Sequence, residues 1–194
     1  MEEALRSARA KPRSDLVAVR LADYLSRHIP EERHHDDWLL EDIEVLGWER
    51  GQVLARIPAC PVAALVGSQY YWIHHVNPVA LLGYIAVMEG DPPSPQLLAE
   101  LVQRTGLPPG AFRTFFKHAD LDAQHCTELD ETLDEMPLNP RHTTLLGISA
   151  FQTVHFLTVT LEQFIASYER AVPLAVSARS EGMCTALGEK LGNR

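Results

Sequence analysis

The segment HADLDAQH sets two imidazoles and a carboxylate, His118, Asp122 and His125, at positions i, i+4 and i+7. If the segment is helical they share one stripe, with Phe115 and Leu129 close beside it. Polar groups turned towards a core must be paired or must bind something. A second cluster lies in EERHHDDW, where Glu32 and His35 have the same i, i+3 relation as Asp122 and His125, and His28 precedes Glu32 at i−4 if Pro30 only kinks the chain. A carboxylate-x-x-His pair on each of two helices is the donor arrangement of dinuclear carboxylate sites in bundles: the carboxylates bridge or chelate, and each neutral imidazole caps one metal. Glu89 closes the apolar run LLGYIAVMEG at a helix C-terminus, where the macrodipole disfavours an anion, so it calls for a compensating cation. Glu32, His35, Glu89, His118, Asp122 and His125 together offer three carboxylates and three imidazoles, a set suited to iron or manganese. Taken singly, each signal has a plainer reading. HHDD resembles a solvated face, HxxxDxxH can face water between apolar stripes, and a lone Glu before Gly is common.

Other polar and aromatic residues carry weaker signals. His74 and His75 precede the Asn77-Pro78 break and suit a helix end. His155 shares an apolar stripe with Phe151, which fits a core histidine or a pocket wall, and Tyr70, Tyr71, Trp72 and Tyr84 fit plain core or a pocket lining. Cys126 follows His125 directly and so points about 100° away from it, a poor ligand direction. Arg113 or Arg141 could grip a substrate carboxylate through a bidentate pair.

The elements that must position these residues are helical, because apolar residues recur every three to four positions and strand signals are nearly absent. Ser14 or Asp15 caps a first helix ending near Ile29. Pro30 then kinks that helix or opens a second one, Glu31 to Leu46, which stops at Gly47. After Pro58 and Pro61 comes an apolar stretch from Val62 to Val76, broken at Asn77-Pro78 and continued from Val79 to Glu89. Ser94-Pro95 starts a short helix closed by Gly106. Pro109 opens a long segment through Met136, and Asn139-Pro140 caps a last helix to about Ala171. This predicts an all-α fold, one compact bundle of about seven helices over residues 1–194, with loosely ordered ends at 1–13 and 173–194.

Composition narrows the function classes. A 194-residue chain with 46% hydrophobic and 22% charged residues has the make-up of a globular domain rather than a disordered one. The formal net charge of −9, with only a mild basic run in RSARAKPR, argues against nucleic acid. Cys60, Cys126 and Cys184 are odd in number and form no CxxC, so neither a disulfide framework nor a thiolate zinc site is expected, and a reducing cytoplasm is. The N-terminus has no apolar signal region and no window approaches 18 uninterrupted apolar residues, so no membrane association is expected.

The combination of EERHHDDWLLEDIEVLG, PVALLGYIAVMEG and HADLDAQH resembles the heme-oxygenase-like di-iron oxidases, a family of iron-containing redox enzymes, over about His28 to Glu162. The family pattern maps onto His35, Glu89, His118, Asp122 and His125. Its first carboxylate falls three residues before the His in some members, here Glu32, and seven before in others, here His28, with Glu31 and His28 as substitutes for Glu32. The resemblance implies a heme-oxygenase-like bundle, two ferrous ions per chain, dioxygen as co-substrate and an external electron donor. The implied substrate is small, an amino acid, amine or fatty-acid-like compound, and the reaction is N-oxygenation, desaturation or oxidative C–C cleavage. Tyr71, Trp72 and His155 are expected to wall the substrate pocket, and a homodimer is the expected assembly. Three rivals remain. A thiaminase-like hydrolase would need a cysteine nucleophile beside a carboxylate. A haem-degrading oxygenase would need one axial His, His28 or His35. A non-catalytic metal- or partner-binding helical protein would take up metal without consuming oxygen.

Overall fold

The computed structural model describes the backbone of residues 1–191 and the side chains of residues 1–170. The helices are α1 (Glu2–Arg9), α2 (Leu16–Glu31), α3 (His35–Val45), α4 (Arg50–Leu54), α5 (Cys60–His75), α6 (Leu81–Glu89), α7 (Pro95–Thr105), α8 (Arg113–Glu135) and α9 (Pro140–Leu191), with 3-10 turns at Pro78–Ala80 and Pro109–Phe112. No strand occurs among the described residues. The local signals act as their chemistry dictates. The Asp15 carboxylate, not Ser14, caps α2 by accepting from the Ala18 amide at 3.0 Å. Ser94 caps α7 through the Leu97 amide, and Gly106 ends that helix in the left-handed conformation at φ 65°. Asn77 turns the chain between α5 and α6 by accepting from the Val79 amide.

The core lies between α2, α6 and the first half of α9, closed by α1, α5 and α8. Leu21, Tyr24 and Leu25 of α2 pack with Leu82 and Ile85 of α6, Leu129 of α8 and Leu145 of α9, all essentially out of solvent. Each such side chain contributes roughly 1.5–3 kcal/mol by burial. Gly83 sets the spacing of α6 against α9: a Cβ there would fall within the van der Waals shell of the Leu146 carbonyl oxygen and 3.1 Å from the Ala150 nitrogen. The close approach matters because α6 carries Glu89 at its end.

Several expectations need correction. Residues 1–13 were expected to be loosely ordered, but α1 packs along α2 and buries Ala4 and Ala8. Its small i, i+4 residues allow a close approach, and the Glu3–Arg6 pair at 2.6 Å and the Arg9–Ser26 bond at 3.0 Å hold its outer face. With α4, this helix accounts for the two beyond the expected seven. The expected helix from Glu31 to Leu46 begins only at His35, because His34 adopts a left-handed backbone at φ 73° and breaks it from α2. The expected loose end at 173–194 lies outside the residues whose side chains are described, and so does Cys184.

Pro140–Arg170 is long and apolar enough, by length and composition, to cross a membrane, with a mean hydropathy of 1.4 over its best window, although polar residues interrupt it throughout. Its threonines hide their polarity by donating to carbonyls one turn back, Thr153 to Ser149, Thr158 to Val154 and Thr160 to Phe156. Ser149 and Thr153 are fully buried against the bundle.

Replacing Gly83 by Ala is expected to destabilise the protein by about 1–3 kcal/mol through overpacking of α6 on α9. Gly67→Ala, whose Cβ meets nothing within 4 Å on α5, is expected to be neutral or slightly stabilising. Urea unfolding of both variants checks the difference.

Candidate metal centre

Four chain segments meet at the polar centre: the end of α2 with the turn after it, the start of α3, the end of α6, and the middle of α8. On α8 the helical period sets His118, Asp122 and His125 on one inward stripe, as their spacing predicts, with Asp122 and His125 fully buried. Glu32 and His35 reach the same place by another route. They sit on either side of the α2–α3 break, and the left-handed turn at His34 brings the Glu32 Oε2 to 3.0 Å from the His35 Nδ1. A non-glycine residue in that conformation costs about 1–2 kcal/mol. His34 is held there through a 3.1 Å contact with Asp37, itself bound by Arg50 at 2.7 Å.

The groups converge on His125. Its Nδ1 lies 3.4 Å from Glu32, 3.5 Å from Glu89 and 4.0 Å from Asp122, while its Nε2 faces Glu31 at 3.5 Å. His28 comes within 3.3 Å of Glu89 and presents its ring edge to His125 at 4.8 Å between centroids. His35 and His118 meet edge to face at 4.9 Å. All six residues of the primary set, and both alternatives His28 and Glu31, are thus brought together. Glu31 is the most open of the carboxylates at 42% side-chain exposure, against 14% for Glu32 and 13% for Glu89.

The surroundings orient these donors. His118 donates from Nδ1 to the Thr114 carbonyl at 2.8 Å, which leaves Nε2 free to face the cluster. Thr114 is in turn fixed by Asp42 of α3, which is 2% exposed and accepts from the Thr114 amide at 2.7 Å and from Arg113 at 3.2 Å. Trp38 stacks on His35 at 4.0 Å, with the Lys117 ammonium over its outer face, and Tyr24 stacks on His28 at 5.0 Å. Asp42, Trp38, Lys117 and Tyr24 were not singled out from the sequence. Tyr24 and Trp38 read as ordinary helix-face aromatics, and nothing near Asp42 marks it as reaching α8.

Electrostatics follow the burial. Burial raises the Asp122 pKa despite the neighbouring His118. At His35, burial outweighs Glu32 and lowers the pKa, with His118 acting in the same direction as burial. At His28, burial acts against the charged form but the Glu89, Glu32 and Glu31 carboxylates outweigh it, and the pKa is raised. Burial, reinforced by Glu89, also raises Tyr24.

The donor atoms themselves test whether a metal fits. His28 Nδ1 and Nε2, Glu32 Oε1, His35 Nδ1, Glu89 Oε2, Asp122 Oδ1 and His125 Nδ1 are buried without a protein hydrogen-bond partner. Such atoms are normally satisfied, and leaving so many unmet in one place would be costly. Three triads bring donor atoms within 4.8 Å of one another: His28, Glu31 and His125; Glu32, His35 and His118; and His28, Glu32 and Glu89. The carboxylate-and-imidazole composition fits iron or manganese. A cleft of about 250 Å³, lined by Met1, Glu2, Ile29, Arg33, His34 and Asp36, opens onto Glu32.

The residues expected to wall a substrate pocket lie elsewhere. Tyr71 and Trp72 line a groove between α5 and α9 with Gln152, which accepts from the Trp72 indole at 2.7 Å, and His155 is exposed on α9 beside Phe156. The groove belongs to the seam where α5 packs on α9. Arg113 is occupied by Glu41 and Asp42, and Arg141 is exposed at the start of α9. His74 approaches only Glu3, at 3.9 Å, and His75 lies beside the Tyr71 ring. Cys126 faces the Gly90 carbonyl at 3.8 Å, as its direction predicts.

A bundle of this topology around a carboxylate–imidazole centre is a heme-oxygenase-like fold. A domain of unknown function with that fold from Shewanella denitrificans OS217 superposes with a TM-score of 0.71 at 24% identity, covering 86% of this chain and 71% of its own. The chain belongs to the family of iron-containing redox enzymes, whose model matches residues 9–154 and therefore spans every member of the cluster. No curated protein matches the chain.

Asp42→Ala is expected to cost about 2–3 kcal/mol of stability, because it leaves the buried Thr114 amide without its charged acceptor. Asp42→Asn keeps an acceptor and should lose about half as much. Denaturant unfolding followed by circular dichroism measures both.

Proposed function

We propose that the protein is a non-haem di-iron oxidase or oxygenase that uses dioxygen on a small substrate. The single observation behind this is the set of buried, partnerless donor atoms on Glu32, His35, Glu89, Asp122 and His125, joined by the free Nε2 of His118, in a chain of the iron-containing redox family. Two ferrous ions bound by these residues would supply the electrons that reduce dioxygen. The remaining work falls to the protein. Glu32 and Glu89 stand between imidazoles from different helices and can balance metal charge. Thr114 keeps the His118 ring oriented, Trp38 and Tyr24 cover His35 and His28 from solvent, and the cleft beside Glu32 is the candidate approach for substrate.

The substrate classes implied by the family resemblance are an amino acid, an amine or a fatty-acid-like compound, undergoing N-oxygenation, desaturation or oxidative C–C cleavage. Cytoplasmic residence, an external electron donor and a homodimer belong to the same proposal. The apolar side chains that α9 exposes, Phe151, Leu161 and Phe164 among them, support pairing of two copies. The thiaminase-like alternative has little support: Cys60 is exposed at the start of α5 and Cys126 faces a backbone carbonyl. An axial haem ligand is equally unsupported, since the carboxylates Glu89 and Glu32 that crowd His28 and His35 have no role in a haem pocket.

Anaerobic loading with ferrous iron, metal quantitation and an oxygen pulse test the proposal. Wild type is expected to retain about two irons per chain, as the donor set allows, and to consume oxygen. His125→Ala and Glu89→Ala are expected to lose iron. Retention unchanged in both variants, or none in wild type, would falsify the reading. Ferrous iron at 100 times its dissociation constant should stabilise the fold by about 2.7 kcal/mol for one site, seen as a rise in Tm that a chelator reverses.

A further inference from the structure

His28 has no role in the six-residue set, yet it is the most deeply buried histidine of the cluster at 0% exposure. Neither of its nitrogens has a hydrogen-bond partner: Nε2 lies 3.3 Å from Glu89 but out of line for a bond, and Nδ1 meets no acceptor. A neutral imidazole in such a place loses its hydration without return unless its lone pair is used. Two of the three triads that could hold a cation include His28, one with Glu31 and His125 and one with Glu32 and Glu89. The other triad, Glu32, His35 and His118, lacks it. Tyr24 stacks against the ring and leaves its edge turned to His125.

We infer that His28 is a seventh metal ligand, working with Glu89 and His125, which brings its metal position to two imidazoles. This rests on the di-iron reading above. One position draws on His28 and His125 with Glu31 at its solvent side, and Glu89 stands 3.3 Å from His28 and 3.5 Å from His125. The other draws on Glu32, His35 and His118, and Asp122 lies between His118 and His125 along α8. Each position then has two imidazoles, and the two differ in closure: Glu31 beside the His28 position is 42% exposed, against 14% for Glu32 at the other.

The test is an anaerobic titration of the full chain with ferrous iron and, separately, with cobalt(II), read by bound-metal count and by the visible ligand-field bands of cobalt. Wild type should fill in two distinguishable steps. In His28→Ala one step should weaken by about tenfold or more, with a change in the cobalt bands. His118→Ala should weaken the other step instead. His28→Gln, which preserves bulk, guards against loss of folding, and circular dichroism checks each variant. Two unchanged steps in folded His28→Ala and His28→Gln overturn the assignment alone. A wild type that retains neither metal overturns the di-iron reading with it.

Discussion

Carboxylates and imidazoles crowded into a helical core are stable only when something positive lies between them, and the architecture around this cluster is arranged to impose that crowding. Glu32, Glu89, Asp122 and His125 come from three different elements, yet their atoms lie within 3.4–4.0 Å of the His125 Nδ1. No helix would choose that arrangement alone, since the anion at the C-terminal end of α6 opposes the helix dipole. What enforces it is apolar packing: α6 is pressed onto α9 at Gly83, and α2 is locked to α6 through Leu21, Leu25, Leu82 and Ile85. Burial of apolar surface thus supports the electrostatic cost of the centre.

A second layer of polar contacts converts proximity into orientation. The path from Asp42 through the Thr114 backbone to His118 links α3 to the start of α8, so the two helices that supply His35 and His118 are set by one buried carboxylate. Trp38, one turn before Asp42 on α3, is sandwiched between His35 and the Lys117 ammonium. The same face of α3 therefore both positions an imidazole of its own and anchors the helix that carries the others.

Much of this was legible in the sequence, for a physical reason: helical spacing is local. His118, Asp122 and His125 needed only the period of one helix, and the breaks at Asn77-Pro78, Ser94-Pro95 and Gly106 rest on residues whose backbone preferences are strong. Glu32 and His35 also share an i, i+3 spacing, but they meet across a break. The left-handed residue there is His34, which carries no such preference, so the join could not be read. Tertiary reach was equally hidden. Nothing in its neighbours tells Asp42 apart from the other acids of α3, and the aromatic stripe of Tyr71 and Trp72 looks the same whether it faces a metal or the groove beside α9. The family match supplies what spacing could not, namely that iron is the expected metal.

The order in which the donors occur along the chain has a kinetic meaning. Residues 28–35 emerge first, Glu89 follows after α5 and the Asn77 turn, and the α8 stripe arrives only after α7. The triad of His28, Glu32 and Glu89 is complete once α6 has formed, whereas the two triads that use His118 or His125 wait for α8. A metal ion at those later triads therefore cannot template the early collapse of this chain. It meets earlier helices already made, so its uptake there records that α8 has closed on them.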